Sequence, residues 1–359
     1  MYNKALVLKQ RPDETFPQNM DFFEVREVPV PELNDGEILI RVLYIGVDPV
    51  MRVWLSGAKT YIDAVQIGQV MPAFGVGIIV ETKQPKWDVG QIVFGVLECA
   101  NLCKRPTKPL FKVPLFELGD PNIPLLLSIY GVTGLTALNG MKLIPQDHIP
   151  TSERQKTFCV SSAAGSTGSI ALQIAKHMGF KTIGIVSGRE KKDFVLSLGA
   201  DECITYNDCK ENDEIIVDKL TQEIKRVAPN GIDVYFDNAG EEVLDAVLPG
   251  MAKEGLILLC GATSTYNAWK NRGGLTNLAS AITQQVKLEG IIFYQDQAKI
   301  YSGFSDMIEL VNDGIIKHQE EIYYGVENFV QGLKRVFLGQ NMGKIIIQIE
   351  QQVEHQAKL

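Results

Sequence analysis

The sequence predicts an α/β protein in two parts: a small, partly open β-barrel and a doubly wound parallel sheet of six strands. Three observations carry this. Residues 1–125 are rich in short β patterns separated by turn residues. Residues 126–315 alternate apolar strands with stretches of helical period. Within that second part an apolar strand, 157–162, runs through a glycine turn straight into a helix, as in a dinucleotide cradle. The tail, 316–359, reads strand, helix, strand with no room for a third core, and is expected to fold back on the first part.

In the first part, strands are expected at 4–9, 22–28, 37–45, 74–81 and 91–96. They are set apart by Pro29-Val30-Pro31, Asn34-Asp35-Gly36 and Asp88-Val89-Gly90. Gly75, Gly77, Gly90 and Gly95 stand where chains bend or approach closely. In the second part the expected strands are 157–162, 181–186, 202–206, 232–237, 256–260 and 288–293, with helical period over 214–227 and 241–251. Such a sheet binds its ligand at the carboxyl ends of its strands, so the active cleft is expected between barrel and sheet. The tail is expected as a strand from 322, a helix over 327–338 and a strand over 344–350.

The cradle follows the first strand of the sheet. Ala163, Gly165 and Gly168 keep the G-x-G-x-x-G spacing with alanine at the first position. Gly165 lets the backbone approach a pyrophosphate, and Gly168 lets the helix pack closely on the strand. Ile170, Ile174 and Met178, with Ala171 and Ala175, form one apolar helical face, and the helix start offers N–H groups to phosphates. An NAD site wants an acid about 20 residues after the glycines. Here the second strand ends in Ser187-Gly188-Arg189-Glu190-Lys191-Lys192. Three cations and one acid suit a 2′-phosphate, hence NADPH. The same lysines also suit the solvated first turn of a helix.

Composition narrows the partners. The chain has 359 residues, a net charge of -8 and a pI near 5.2. An acidic surface attracts neither nucleic acid nor an anionic membrane, which leaves a small molecule as the expected ligand. No apolar run approaches the roughly 20 residues of a membrane span, and the amino terminus lacks the apolar core of a signal peptide, so a soluble, cytoplasmic protein is expected. The six cysteines, at 99, 103, 159, 203, 209 and 260, lack disulfide-like spacing, and reduced thiols are expected. The last three residues, Ala357-Lys358-Leu359, resemble the Ser-Lys-Leu peroxisomal address, which makes peroxisomal import the alternative.

Six ordered motifs extend over nearly the whole chain. They are Val47-Asp48-Pro49-Val50-Met51-Arg52, Gly131-Val132-Thr133-Gly134-Leu135-Thr136-Ala137, Ala163-Ala164-Gly165-Ser166-Thr167-Gly168, Tyr235-Phe236-Asp237-Asn238, Cys260-Gly261-Ala262-Thr263-Ser264-Thr265-Tyr266 and Asn341-Met342-Gly343-Lys344. With the order of barrel then sheet, they resemble the medium-chain dehydrogenase/reductases, closest to the prostaglandin reductase and alkenal double-bond reductase branch. The resemblance implies a GroES-like domain over 1–125 and 316–359, and a Rossmann NADPH-binding domain over 126–315. It also implies reduction of the C=C bond of α,β-unsaturated ketones and aldehydes. The pyrophosphate would sit on Gly165, Ser166, Thr167 and Gly168, and the 2′-phosphate on Lys191 and Tyr206. Nicotinamide and ribose contacts would come from Asn238, Cys260, Gly261, Ala262, Thr263, Ser264, Thr265, Tyr266, Ile291, Ile292, Phe293 and Asn341. A homodimer pairing edge strands near 288–293 is implied as well.

Zinc divides this family. Its zinc-dependent members place a cysteine ligand where this chain has Gly46-Val47-Asp48, with Gly-His-Glu soon after. None of the four histidines, 148, 177, 318 and 355, lies there, so the three protein ligands of a catalytic zinc are missing. Cys99 and Cys103 fall near the family's structural-zinc lobe, but two thiols do not close a four-ligand site. Without a metal, something else must stabilise the enolate oxygen formed when hydride reaches the β-carbon, and a positioned hydroxyl donor can do so. By resemblance Tyr266 is that donor, with packing of the loop or stacking on the cofactor as the alternatives, and the nicotinamide ribose 2′-hydroxyl sharing or replacing its role. Two departures from the family pattern are Val50, where relatives carry tyrosine, and Thr283, where some carry a second tyrosine. Arg52 would orient an acidic lipid tail or pair with Asp48. Val96 and Leu97, by resemblance, line an apolar pocket for a lipid enal or enone, and equally suit barrel core. A quinone reductase, or an NADPH-binding protein without catalysis, are the rival readings.

Overall fold

The computed structural model describes residues 2–13, 16–57, 62–108, 110–114, 116–267, 274–293 and 297–349. The expected tripeptide address at 357–359 lies outside them. The chain divides into two compact units, Met1–Ser128 with Glu320–Leu359, and Ile129–Gln319.

The first unit opens with β1 (Tyr2–Leu8) and β2 (Phe23–Pro29), an antiparallel pair. It continues through β3 (Glu37–Val47), the short helix α1 (Met51–Leu55), β4 (Pro72–Thr82), β5 (Ile92–Glu98), β6 (Leu102–Pro106) and β7 (Phe111–Lys112). β3 and β4 bury most of their side chains on both faces, as central strands should. At Gly77 in β4 a Cβ would lie 2.4 Å from Ile40 Cγ2 and 2.6 Å from the Arg41 carbonyl, so only glycine lets the strands approach there.

The second unit begins with α2 (Val132–Lys142), then alternates. It runs β8 (Thr157–Ser161), α3 (Ser166–His177), β9 (Lys181–Val186), α4 (Arg189–Ser197) and β10 (Glu202–Thr205). A small hairpin, β11 (Lys210–Glu211) and β12 (Glu214–Ile215), precedes α5 (Val217–Val227). Then come β13 (Ile232–Asp237), α6 (Glu241–Val247), β14 (Met251–Leu259), α7 (Leu278–Thr283), β15 (Lys287–Gly290) and α8 (Gln297–Asn312). The sheet is six-stranded and parallel, in the order β10-β9-β8-β13-β14-β15. β8 and β13 are wholly buried, while all four residues of β15 are exposed at the edge.

The chain then returns to the first unit with β16 (Glu320–Tyr324), α9 (Phe329–Phe337) and β17 (Lys344–Gln348). β17 pairs antiparallel with β3, completing a seven-stranded sheet in the order β16-β17-β3-β4-β5-β7 with β6 on β3. The fold class expected from the sequence is the one observed, and the tail does fold back on the first unit.

Candidate cofactor and active site

The second unit gathers its functional side chains at the carboxyl ends of β8, β9, β10, β13 and β14. The turn after β8 starts at Ser162, whose φ is +51°, and closes through Gly165 N–H to the Ser162 carbonyl at 2.9 Å. A Cβ on Gly168 would meet that same carbonyl oxygen at 2.4 Å, so α3 can begin beneath the turn only with glycine there. On Gly165 a Cβ would meet that oxygen at 3.1 Å and nothing else within 4 Å, so it would fill the open side of the turn. That open side, with no side-chain cap on the first turn of α3, fits a pyrophosphate. Ser166 Oγ lies 2.6 Å from Thr133 Oγ1 in the first turn of α2. Thr133 was visible in the 131–137 motif, but no periodicity or charge marked it as a partner of the glycine turn.

β9 and β10 run parallel in register, with Thr205 beside Val186, so the residues after each lie together. Asn207 N–H donates to the Ser187 carbonyl at 3.3 Å, and Ser187 also hydrogen-bonds the Tyr206 hydroxyl, whose pKa burial nevertheless raises. Lys191 sits half-buried in the first turn of α4, which begins from the extended Gly188 without a side-chain cap. Lys191 and Tyr206 thus follow neighbouring strand ends, where a 2′-phosphate would be met by a cation and a hydroxyl.

At the end of β13, the buried Asn238 donates from Nδ2 to the Ser161 carbonyl at 2.8 Å. The loop after β14 docks on this turn through its backbone and two hydroxyls. Cys260 and Gly261 N–H donate to the Asp237 carbonyl at 2.9 and 3.0 Å. Thr263 donates to the Asn238 carbonyl and Ser264 to that of Ala239, each from N–H and hydroxyl together. Ala262 is half-buried between them, and Thr265 Oγ1 turns back to the Ala262 carbonyl at 2.8 Å. Tyr266 ends the loop's single helical turn. Its oxygen accepts one long bond from Ala262 N–H, 3.4 Å, and its own proton has no acceptor among the described residues. Burial raises its pKa, so the phenol stays protonated as a donor. The Cys260 thiol is pushed up to about 12 by burial and is neutral at ordinary pH.

Ile291 N–H donates to the Leu259 carbonyl at 2.9 Å, Ile292 is exposed and Phe293 is buried. β15 itself ends at Gly290, so these three residues follow the strand instead of forming its end.

Val50, Arg52, Val96, Leu97 and Asn341 belong to the first unit. Val50 heads α1 and is half-buried. The expected pairing of Arg52 with Asp48 is corrected: the buried Asp48 carboxylate pairs with the Lys344 ammonium, which β17 brings beside β3. The Arg52 guanidinium instead lies 5.0 Å over the Phe16 ring, its pKa lowered by burial against the opposing charge of Asp13. Leu97 is fully buried, 3.0 Å from where a Gly75 Cβ would stand, and so is barrel core in this unit. Val96 is half-buried, and Asn341 donates to the Gly343 carbonyl at 3.1 Å.

Five of the six cysteines are buried and all are free. Burial pushes the Cys103 thiol up to about 12, against thiolate formation. No group of three or more His, Cys, Asp or Glu side chains is placed to hold a metal ion among the described residues.

The chain matches two family descriptions, "N-terminal domain of oxidoreductase" over residues 4–113 and "Zinc-binding dehydrogenase" over residues 166–313. It is 31% identical to prostaglandin reductase 1 of Oryctolagus cuniculus across 91% of this chain and 88% of that protein. It is 30% identical to the NADP(+)-dependent 2-alkenal reductase of Nicotiana tabacum, covering 98% of each. The chain is a medium-chain dehydrogenase/reductase. Within this family it belongs to the zinc-independent reductase branch, despite the description of the second match. A solved structure of CurA from Vibrio vulnificus in complex with NADPH superposes with a TM-score of 0.85 at 29% identity, over 97% of this chain and 99% of that one. As a medium-chain dehydrogenase/reductase, the chain has the GroES-like amino-terminal domain and Rossmann-type sheet of the family.

Proposed function

We propose that this protein uses NADPH to reduce the C=C bond of α,β-unsaturated aldehydes and ketones. It is an NADPH-dependent oxidoreductase acting on CH–CH groups, and the proteins it is similar to include prostaglandin reductase 1, an NADP(+)-dependent 2-alkenal reductase and an NADPH-dependent curcumin reductase of Escherichia coli. The single observation that carries the finer reading is Tyr266, a half-buried phenol kept protonated with its hydrogen unclaimed among the described residues.

NADPH would be held by Gly165 to Gly168 at the pyrophosphate, by Lys191 and Tyr206 at the 2′-phosphate, and by Asn238 and the 260–266 loop at the nicotinamide end; when bound it supplies a hydride. As the substrate's β-carbon gains that hydride, negative charge builds on the carbonyl oxygen. Tyr266 donates to that oxygen and stabilises the enolate. The remainder of the substrate is proposed to be apolar and lipid-derived.

The reading is tested by following reduced-nicotinamide absorbance with NADPH or NADH against a long-chain enal, a lipid enone, a quinone and a saturated alcohol. Selective NADPH oxidation with the enal or enone, yielding the saturated carbonyl, supports it. Turnover confined to the quinone, or binding without turnover, overturns it. The protein is also proposed to be a homodimer joined through β15, since that edge strand is exposed along its length and pairs only with β14 among the described strands.

A further inference from the structure

The turn after β13 is held from two sides. On its N–H side, Ser161 Oγ accepts from Asn238 at 2.8 Å and Ala239 at 3.1 Å. Asp237 Oδ1 accepts from Ala239 and Gly240, each at 3.1 Å. Ser161 Oγ donates to that same carboxyl oxygen at 3.0 Å, and the Tyr235 hydroxyl donates to it at 2.9 Å. Ser161, Tyr235 and Asp237 are at most 1% exposed, so no water competes from the surface. On its C=O side, the carbonyls of Asp237, Asn238 and Ala239 accept all six bonds by which Cys260, Gly261, Thr263 and Ser264 dock. That loop ends in Tyr266.

We propose that Ser161 and Asp237 are positioning residues for Tyr266, fixing through the 238–240 turn the loop that presents its phenol to the substrate oxygen. The inference rests on the reading of Tyr266 as the oxyanion donor. Ser161 is the hinge of the device. Its oxygen is the partner of the Asn238 N–H, and no other described group replaces it. Asp237 adds the second support, all four bonds converging on Oδ1 while Oδ2 is buried without a described partner. Burial raises the pKa of this carboxyl above its usual 3.8, against the lowering effect of the hydrogen bonds it accepts from Gly240, Tyr235, Ser161 and Ala239. A displacement of about 1 Å at a donor is enough to cost orders of magnitude in rate, so small losses in this support are readable in kcat.

The test is a double-mutant cycle on the full-length protein with NADPH and an enone. NADPH affinity is measured separately by fluorescence titration without substrate. Ser161→Ala is expected to lower kcat about tenfold while changing the NADPH Kd less than about threefold. In a Tyr266→Phe background the same substitution should cost less than about twofold, because residues acting through one another are not additive. Ser161→Thr, which keeps the hydroxyl, should recover most of the rate. Equal losses in both backgrounds, an unchanged kcat, or a loss confined to NADPH affinity overturns the proposal while leaving the Tyr266 reading intact. An unaltered kcat in Tyr266→Phe alone overturns both. If Ser161→Ala does not fold, Ser161→Cys, with a weaker acceptor of similar size, enters the same cycle.

Discussion

Lys191 and Gly165 separate charge from shape in the cofactor site. Of the cofactor's groups, Lys191 is proposed to meet the 2′-phosphate, so its loss should discriminate between cofactors. Lys191→Ala is expected to weaken NADPH about tenfold or more, the scale of a charge-assisted contact, and to leave NADH nearly unchanged. Paired fluorescence titrations check this, and equal weakening of both cofactors would remove Lys191 from the phosphate site. Gly165 is a question of space. Its Cβ would be tight against one carbonyl oxygen and otherwise open, so Gly165→Ala should fold and chiefly lose NADPH affinity. The tight turn through Gly165 and Gly168 was legible directly from sequence, because a strand that turns at once into a helix needs a local glycine motif. The Asp48–Lys344 pair was not legible, since its partners are 296 residues apart and only the pairing of β17 with β3 joins them.

At the scale of elements, Gly168→Ala should behave differently from Gly165→Ala. Its Cβ would stand 2.4 Å from the Ser162 carbonyl, which belongs to the backbone and cannot swing aside. Overpacking of this kind typically costs about 1–3 kcal/mol, so a lowered midpoint in urea unfolding is expected along with lost NADPH binding. The joint between α3, β9 and β10 carries a pH prediction. Burial alone would raise the Asp201 pKa, but Lys176 and two hydrogen bonds from Thr182 outweigh it and hold the carboxyl below its usual 3.8. The folded state therefore prefers the anion. That contribution is fully present above the unfolded value near 3.8 and is lost as pH falls through the lower folded value. Asp201→Asn should flatten the acid side of a plot of Tm against pH while lowering the plateau. Periodicity located the six strands of the parallel sheet, but their ends are set by partners. β14 begins at Met251, five residues before the expected start, and β15 stops at Gly290. The helical period expected from 214 starts only at Val217, because Asn212 and Asp213 take positive φ and turn the chain into the β11–β12 hairpin. β6, β7 and α1 are too short to show a period of their own in the sequence.

At the scale of the whole molecule, sequence order was enough to assign the carboxyl-terminal strands to the amino-terminal unit, because a tail of two strands and a helix cannot bury its apolar face alone. Assembly is a different matter, because it depends on which surface is left without a partner. β15 has one described neighbour, β14, and exposes all four residues, with Leu288 at 45% and the following Ile292 at 44%. Apolar edge strands of this kind are stable in solution when another edge pairs with them, and otherwise are blunted by charge. The sequence places Lys287 and Glu289 on this strand, but Leu288 and Ile292 leave apolar surface beside them. A second copy offers the same edge in return, so the contact can close with two-fold symmetry. Light scattering on the eluting peak is expected to give a mass near twice 39.8 kDa. Leu288→Lys puts an unpaired cation on the edge and should shift that mass toward a single chain, with NADPH affinity nearly unchanged because the glycine turn and Lys191 lie on other strands of the sheet. A mass of one chain for the unsubstituted protein, or a dimer indifferent to Leu288→Lys, would place the self-association surface elsewhere or remove it.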